Sequence, residues 1–326
     1  MSLNTSSDPT LPPFRPGDDN PYYPPRPRPR DRMWVHSGLL VLTVVTTTLV
    51  GALHFFGFTQ GFNTEAVVVP NFRDPAFYLN GLWYSATILA ILGCHEMGHY
   101  VACRYYRVDA SLPFFLPAPL PLTGTLGAFI RIRSRIPSRI ALFDIGLSGP
   151  IAGFVVAVPA LFLGLALSAV ERVPDSFEGV WLGEPLLFRA ASWLIWGDVG
   201  DEMSINMHPM AFAAWFGLLA TALNLFPIGQ LDGGHVAYAV LGRRSSLITL
   251  AMILVAVALT AFVSMSWLVW TILMVVMLFV IGPHHPPTQD DHVPLGTARL
   301  VLAVVGLLML IVCFTPAPIE PFVTGQ

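Results

Sequence analysis

Long apolar runs alternate with short polar segments along this chain. Seven runs approach or exceed the ~18 residues needed to cross a bilayer as a helix. They lie at about 34–58, 78–103, 140–169, 206–226, 246–263, 266–282 and 298–315. The fourth continues to 241 with a break, and Ser264-Met265-Ser266 makes a tight turn between the fifth and sixth. The insert at 111–137 departs from the pattern. Leu112 to Leu122 holds four prolines, and proline lacks the N–H that a regular helix needs. Residues 129–133 are rich in strand formers, and apolar side chains alternate with arginine over 130–133, the period of a short strand. The fold expected is an all-α membrane protein: a polytopic helical bundle of about seven spans with a short re-entrant or β-hairpin insert.

Composition agrees with a lipid solvent. Apolar residues make up 54% of the chain and charged ones 11%, against about 25% charged in soluble domains. Residues 1–33 carry nine prolines and no apolar run, which predicts a disordered Pro/Arg-rich cytosolic tail rather than a signal peptide. Residues 34–316 then form one polytopic domain, with its core at about 78–245, and 317–326 a short outer tail. With the N-terminus in the cytosol, fourteen of the seventeen arginines fall on the cytosolic side. The positive-inside rule therefore places the C-terminus outside, in a membrane expected to be the bacterial cytoplasmic one. The outer loop 170–205 is too short for a typical independent domain. A net charge of −3 does not favour nucleic acid as a partner. Cys94, Cys103 and Cys313 form no CxxC pair and read as small apolar side chains.

The second run ends in Gly93-Cys94-His95-Glu96-Met97-Gly98-His99. Positions i and i+4 share a helix face, so both imidazoles can reach one metal ion, and the glutamate between them can take a proton from water activated there. Ionisable groups inside a span are costly, which favours a functional reading over incidental interfacial residues. A catalytic zinc site usually takes three protein ligands. The broken fourth run offers one: Asn224-Leu225-Phe226-Pro227-Ile228-Gly229-Gln230-Leu231-Asp232-Gly233-Gly234-His235. Pro227 breaks the helix, and irregular backbone at membrane depth is tolerated where it lines an enclosed cavity. Counting from the arginines at 104 and 243, His95 and Asp232 lie roughly 14 Å and 17 Å deep at ~1.5 Å per residue. His95, His99 and Asp232 can therefore meet at one depth.

At this point the chain resembles the site-2 protease family of intramembrane zinc metalloproteases. The resemblance rests on HEMGH at 95–99, NLFPIGQLDGGH at 224–235 and Gly149-Pro150-Ile151-Ala152-Gly153, and it covers most of 78–245. It implies one zinc ion held by His95, His99 and Asp232, with Glu96 activating water and Asn224 assisting the transition state. It also implies single-span membrane proteins as substrates, often after a first cut by a site-1 type protease.

Other readings stay open. A prenyl-protein-type membrane metalloprotease also uses HExxH but takes a glutamate as third ligand. An ion transporter would use the same three ligands for transit and has no need of Glu96. Asn224 can simply bond a neighbouring helix, His235 reads as lying behind the ligands or at the interface, and Asp144 as paired near Arg139. The polar loop with His284, His285, Asp290, Asp291 and His292 reads as solvated. The glycines of the 149–153 motif read as surfaces for close helix packing. For the insert, Gly127, Phe129 and Ile130 are candidate substrate-binding residues on a strand that pairs with unwound substrate. The competing reading is a loop anchored by arginines to the lipid surface.

Overall fold

A computed structural model of the chain describes residues 31–62, 68–174, 177–200, 202–281, 286–288, 290–291 and 293–323. Nearly all of the 1–33 tail lies outside that range, as do His284, His285 and His292.

The helices are α1 Met33–Gln60, α2 Pro75–Tyr105, α3 Arg139–Ala166, α4 Leu186–Trp196, α5 Pro209–Leu225, α6 Asp232–Leu241, α7 Ser245–Phe262, α8 Leu268–Ile281 and α9 Gly296–Cys313. Local chemistry starts several of them. Asp74 accepts from the Ala76 N–H with Pro75 opening α2, and Ser138 accepts from the Ala141 N–H at the head of α3. Both are N-caps that satisfy an otherwise orphaned donor.

Helix α3 is the hub. It packs on α2, α5 and α6, and thirteen of its residues are buried. α1 and α2 cross at Gly51 and Gly81. A Cβ on Gly81 would come within 2.1 Å of the Thr48 carbonyl oxygen, so this crossing needs glycine.

Two findings refine the expected architecture. Among the described residues, five helical stretches are long and apolar enough to cross a membrane: α1, α2, α3, the stretch from α6 through α7, and α9. The runs expected at 206–226 and 266–282 yield α5, with 17 residues, and α8, with 14. Pro227 stops the first, and a 3-10 turn over Met265–Trp267 delays the start of the second. The molecule is also not all-α. Among the described residues, three two-stranded antiparallel sheets pair β1 Phe114–Pro117 with β2 Thr125–Phe129, β3 Ala169–Arg172 with β5 Met203–Asn206, and β4 Glu178–Leu182 with β6 Ile319–Val323. The end of the 140–169 run is thus strand, and much of the tail at 317–326 is β6.

In the insert, Phe114 pairs with Phe129 and Leu116 with Gly127. The strand lies at 125–129, not 129–133; beyond it only Ile132 makes an isolated bridge, with Ala110. The start of β1 is held by α1, where His36 Nδ1 contacts the Pro113 carbonyl at 3.1 Å. The turn is held far along the same helix, where His54 Nε2 donates to the Leu122 carbonyl at 3.1 Å, and from α2, where the Tyr84 hydroxyl donates to the Thr123 carbonyl at 3.0 Å. His36 and His54 are eighteen residues apart, about 27 Å along a helix. The hairpin therefore runs along much of the length of α1.

Candidate metal centre

His95 and His99 are buried on one face of α2. Asp232 is the first residue of α6. Its Oδ2 lies 3.1 Å from His95 Nε2 and 3.2 Å from His99 Nε2, and the two Nε2 atoms are 3.1 Å apart. Zinc held at ~2.0–2.1 Å with near-tetrahedral angles separates its ligands by about 3.3–3.4 Å. The triangle is therefore close to the size that a zinc ion requires, and its donors are of the right kind.

The tautomer of His99 is set from outside the cluster. Its Nδ1 lies 2.7 Å from the Ile145 carbonyl oxygen. A carbonyl can only accept, so Nδ1 carries the proton and Nε2 offers a lone pair to the cluster.

The glycines of the 149–153 motif make room for the ligands. A Cβ on Gly149 would stand 2.1 Å from His99 Nε2, and one on Gly153 would stand 3.1 Å from His95 Cβ. Their role exceeds general helix packing: they clear the volume that the imidazoles fill.

Asp232 reaches the site because the chain folds back at the break. A Cβ on Gly233 would meet the Leu225 carbonyl oxygen at 2.0 Å, so the head of α6 lies against the tail of α5. The irregular backbone is satisfied from α7, where Thr249 accepts from the Gly229 N–H at 3.3 Å and donates to the Pro227 carbonyl at 3.4 Å. The other end of α6 is held by Arg139. Its Nε donates to the Ala239 carbonyl at 3.0 Å, Nη2 to Ala239 and Val240, and Nη1 to Asp291. Tyr238 also donates to Asp291 Oδ2 at 2.7 Å. Burial opposes ionisation of Asp291, but hydrogen bonds from Thr288 and Tyr238 and the charge of Arg139 hold its carboxyl below the usual carboxylate range.

Glu96 is buried, with Oε1 4.0 Å from His95 Nε2, and it accepts a hydrogen bond from the Ile130 N–H. Asn224, in the last turn of α5, brings Nδ2 to 3.3 Å from His95 Nε2. Gly127 and Phe129 lie on β2, with Gly127 at φ +103° and Phe129 stacked on Phe114 at 5.3 Å. The chain thus brings Glu96, Asn224 and Ile130 to the ligand set, while Gly127 and Phe129 stand along the strand that leads to it. His235 lies behind, with its Cβ 2.8 Å from where a Gly146 Cβ would stand. Asp144 is paired, but with Arg299 at 2.7 and 2.9 Å and with the Tyr106 hydroxyl, not with Arg139. The three cysteines are free, Cys103 and Cys313 buried and Cys94 partly so. Sequence reasoning missed the clamp made by Arg139. An arginine at the head of an apolar run was its only signal, and that signal also fits an interfacial anchor.

A family model described as peptidase family M50 matches residues 83–266, a segment that holds His95, Glu96, His99, Ile130, Asn224 and Asp232. The chain belongs to peptidase family M50. Its relatives include the probable zinc metalloprotease EGY2, chloroplastic, of rice (Oryza sativa subsp. indica), 31% identical over 251 residues, 74% of this chain and 44% of the relative. The Arabidopsis thaliana proteins named probable zinc metalloprotease EGY2 and EGY1, both chloroplastic, are 28% and 29% identical over 72% and 70% of this chain and 42% of each relative. The chain spans less than half the length of these curated relatives. All three are plant proteins named as chloroplastic, so they lend no support to the bacterial membrane expected from the sequence. An M50 family chain with several long apolar helices is a membrane protein.

Proposed function

We propose that this M50 family chain is an intramembrane zinc endopeptidase that hydrolyses peptide bonds within or near transmembrane segments of other proteins. The observation that carries the reading is the triangle of buried His95 and His99 with half-buried Asp232, and Glu96 at its edge. His95, His99 and Asp232 hold the zinc, which supplies Lewis acidity to water and to the substrate carbonyl when bound. Glu96 takes a proton from the attacking water and returns it to the leaving amine, held in place by the Ile130 N–H. Asn224 donates to the oxyanion as it develops. Glu96→Gln in the purified chain should keep zinc by elemental analysis and lose cleavage of a single-span substrate by about 10²–10⁴-fold. A Glu96→Gln protein that retains a tenth of wild-type turnover ends this reading.

Seven crossings remain the topology we propose, with residues 1–33 cytosolic and the C-terminus on the opposite side. Two pairings support it. β4 in the loop 170–205 pairs with β6 at the C-terminal end, and Ser138 bridges to Asp290 in the loop before α9. Each pair joins segments that the seven-crossing map assigns to the same side. On this map the hairpin is re-entrant. Its strand β2 has one strand partner and leads to the residue that bonds Glu96, which suits it to pair with a substrate whose helix has unwound. Such pairing replaces backbone hydrogen bonds whose loss in a dry site costs several kcal/mol each. A prior cut by a second protease fits this scheme.

A further inference from the structure

Where the hairpin turn meets α1, α5 and the strands of the 170–205 loop, the chain forms a half-open cavity of about 360 Å³, within the size range of small-ligand sites. Its lining includes Leu53, Phe58, Phe177, Trp181, Phe212 and Trp215. The Trp215 indole N–H already donates to the Gly183 carbonyl at 2.7 Å, so its ring serves as an apolar wall. Among the described lining residues the one carboxylate, on Glu184, stands 4.0 Å from Arg189, whose charge offsets its own. The hairpin turn contributes Leu122, and α1 contributes His54, the residue that holds the Leu122 carbonyl.

This placement gives β2 two ends with different surroundings. One end runs into Ile130 and Glu96. The other leads back to the turn that walls the cavity. From Ile130 to Thr125 is five residue steps, about 17 Å at ~3.3 Å per residue, and Leu122 is three residues further. A peptide laid along β2 with its cleaved bond beside Glu96 arrives at the cavity after a similar length.

We propose that this cavity is a second contact for the substrate, taking one large apolar side chain about six to nine residues from the cleaved bond, toward the outer face. The inference rests on substrate pairing along β2. Preference for such a side chain follows from the aromatic walls, since a buried aromatic ring gains much more than the alanine it replaces. It makes the chain selective for substrates carrying a bulky apolar residue at a fixed distance from the cut, independent of the residues at the cut itself.

The test uses the full chain reconstituted in liposomes and a single-span substrate with alanines from the third to the twelfth position outside the cut. One phenylalanine or tryptophan is moved through that window. Cleavage should rise about tenfold, in KM rather than kcat, at one or two adjacent positions near the sixth to ninth. Gly57→Phe then fills the cavity from α1: Gly57 lines it, and a Cβ there meets nothing within 4 Å. Gly57→Phe should abolish the positional preference and leave the all-alanine substrate cleaved at the wild-type rate. A flat positional profile overturns the inference, as does a preference that survives Gly57→Phe. A Gly57→Phe protein that slows every substrate equally assigns the cavity to lipid or to packing, and overturns it too. The strand reading is separated by Phe129→Pro, which removes a backbone donor from β2. Slowed cleavage by Phe129→Pro together with a flat profile sinks the cavity contact alone, whereas normal cleavage by Phe129→Pro sinks both.

Discussion

Helices α3 and α7 read alike in the sequence, apolar almost from end to end, yet they occupy opposite situations in the molecule. α3 buries thirteen of its 28 residues and touches both histidine ligands. α7 buries Ser245, Thr249, Ile253 and Ala256 and leaves Leu247, Leu250, Leu254 and Phe262 exposed. The difference teaches what drives helix association in a membrane protein. Lipid is as apolar as leucine, so apolar area does not draw helices together. Close approach through small residues and a few hydrogen bonds does. In α3 those are Gly146, Gly149 and Gly153; in α7 it is Thr249, which satisfies the break before Asp232.

The comparison breaks most sharply at Gly149. Gly149→Leu drives a side chain into the His99 imidazole and should remove zinc by elemental analysis, with cleavage falling below about one part in a thousand. Leucine tolerated there with zinc retained would mean that α3 is as permissive as α7.

A smaller effect is expected at the head of the same helix, where Arg139 holds the far end of α6. Arg139→Ala should weaken zinc binding about 10–100-fold in a chelator competition, as loss of a group supporting a metal ligand does. Arg139→Lys, which cannot span several carbonyls in one plane, should restore only part of that affinity. Arg299→Ala breaks the pair with Asp144 instead and serves as the control, with zinc affinity kept within twofold.

Asp291 sharpens the picture through pH. Its pKa is lowered in the folded chain, so its contribution to stability is present above the unfolded value, about 3.9, and is lost as pH falls through the lower folded value. The melting temperature in detergent should therefore drop from pH 5 to pH 3 more for the wild type than for Asp291→Asn. Equal slopes would remove Asp291 from the clamp.

The smallest change belongs to the lipid face of α7. Leu254→Ala should shift stability by under about 0.5 kcal/mol and leave cleavage intact. A core-sized loss there would place a protein surface over that face.

Much of the candidate site's arrangement is legible in the sequence. HExxH sets two histidines on one helix face by periodicity alone, and the proline and glycines of 224–235 mark a break that only an enclosed site tolerates. Asp144 was legible as paired, but its partner was not: Arg299 follows it by 155 positions, and nothing local distinguishes that arginine from Arg139. The strand in the insert starts four residues before the clean alternation of 130–133 suggests, because the pairing follows Gly127 and the partner strand at 114–117.

The sequence by itself determined the apolar class of the chain, the types of the candidate ligands, the sharing of one helix face by the two histidines and the break that precedes Asp232. These depend on residue chemistry and short-range periodicity, which a single segment carries. Tertiary structure alone decided that Gly149 and Gly153 clear space for the imidazoles, that Ile145 fixes the His99 tautomer, that Ile130 bonds Glu96, and that Arg139 holds the helix of Asp232. Each of these is a contact between segments tens to a hundred residues apart. Its geometry is set by how closely two helices approach, a quantity that the pattern along either helix does not contain.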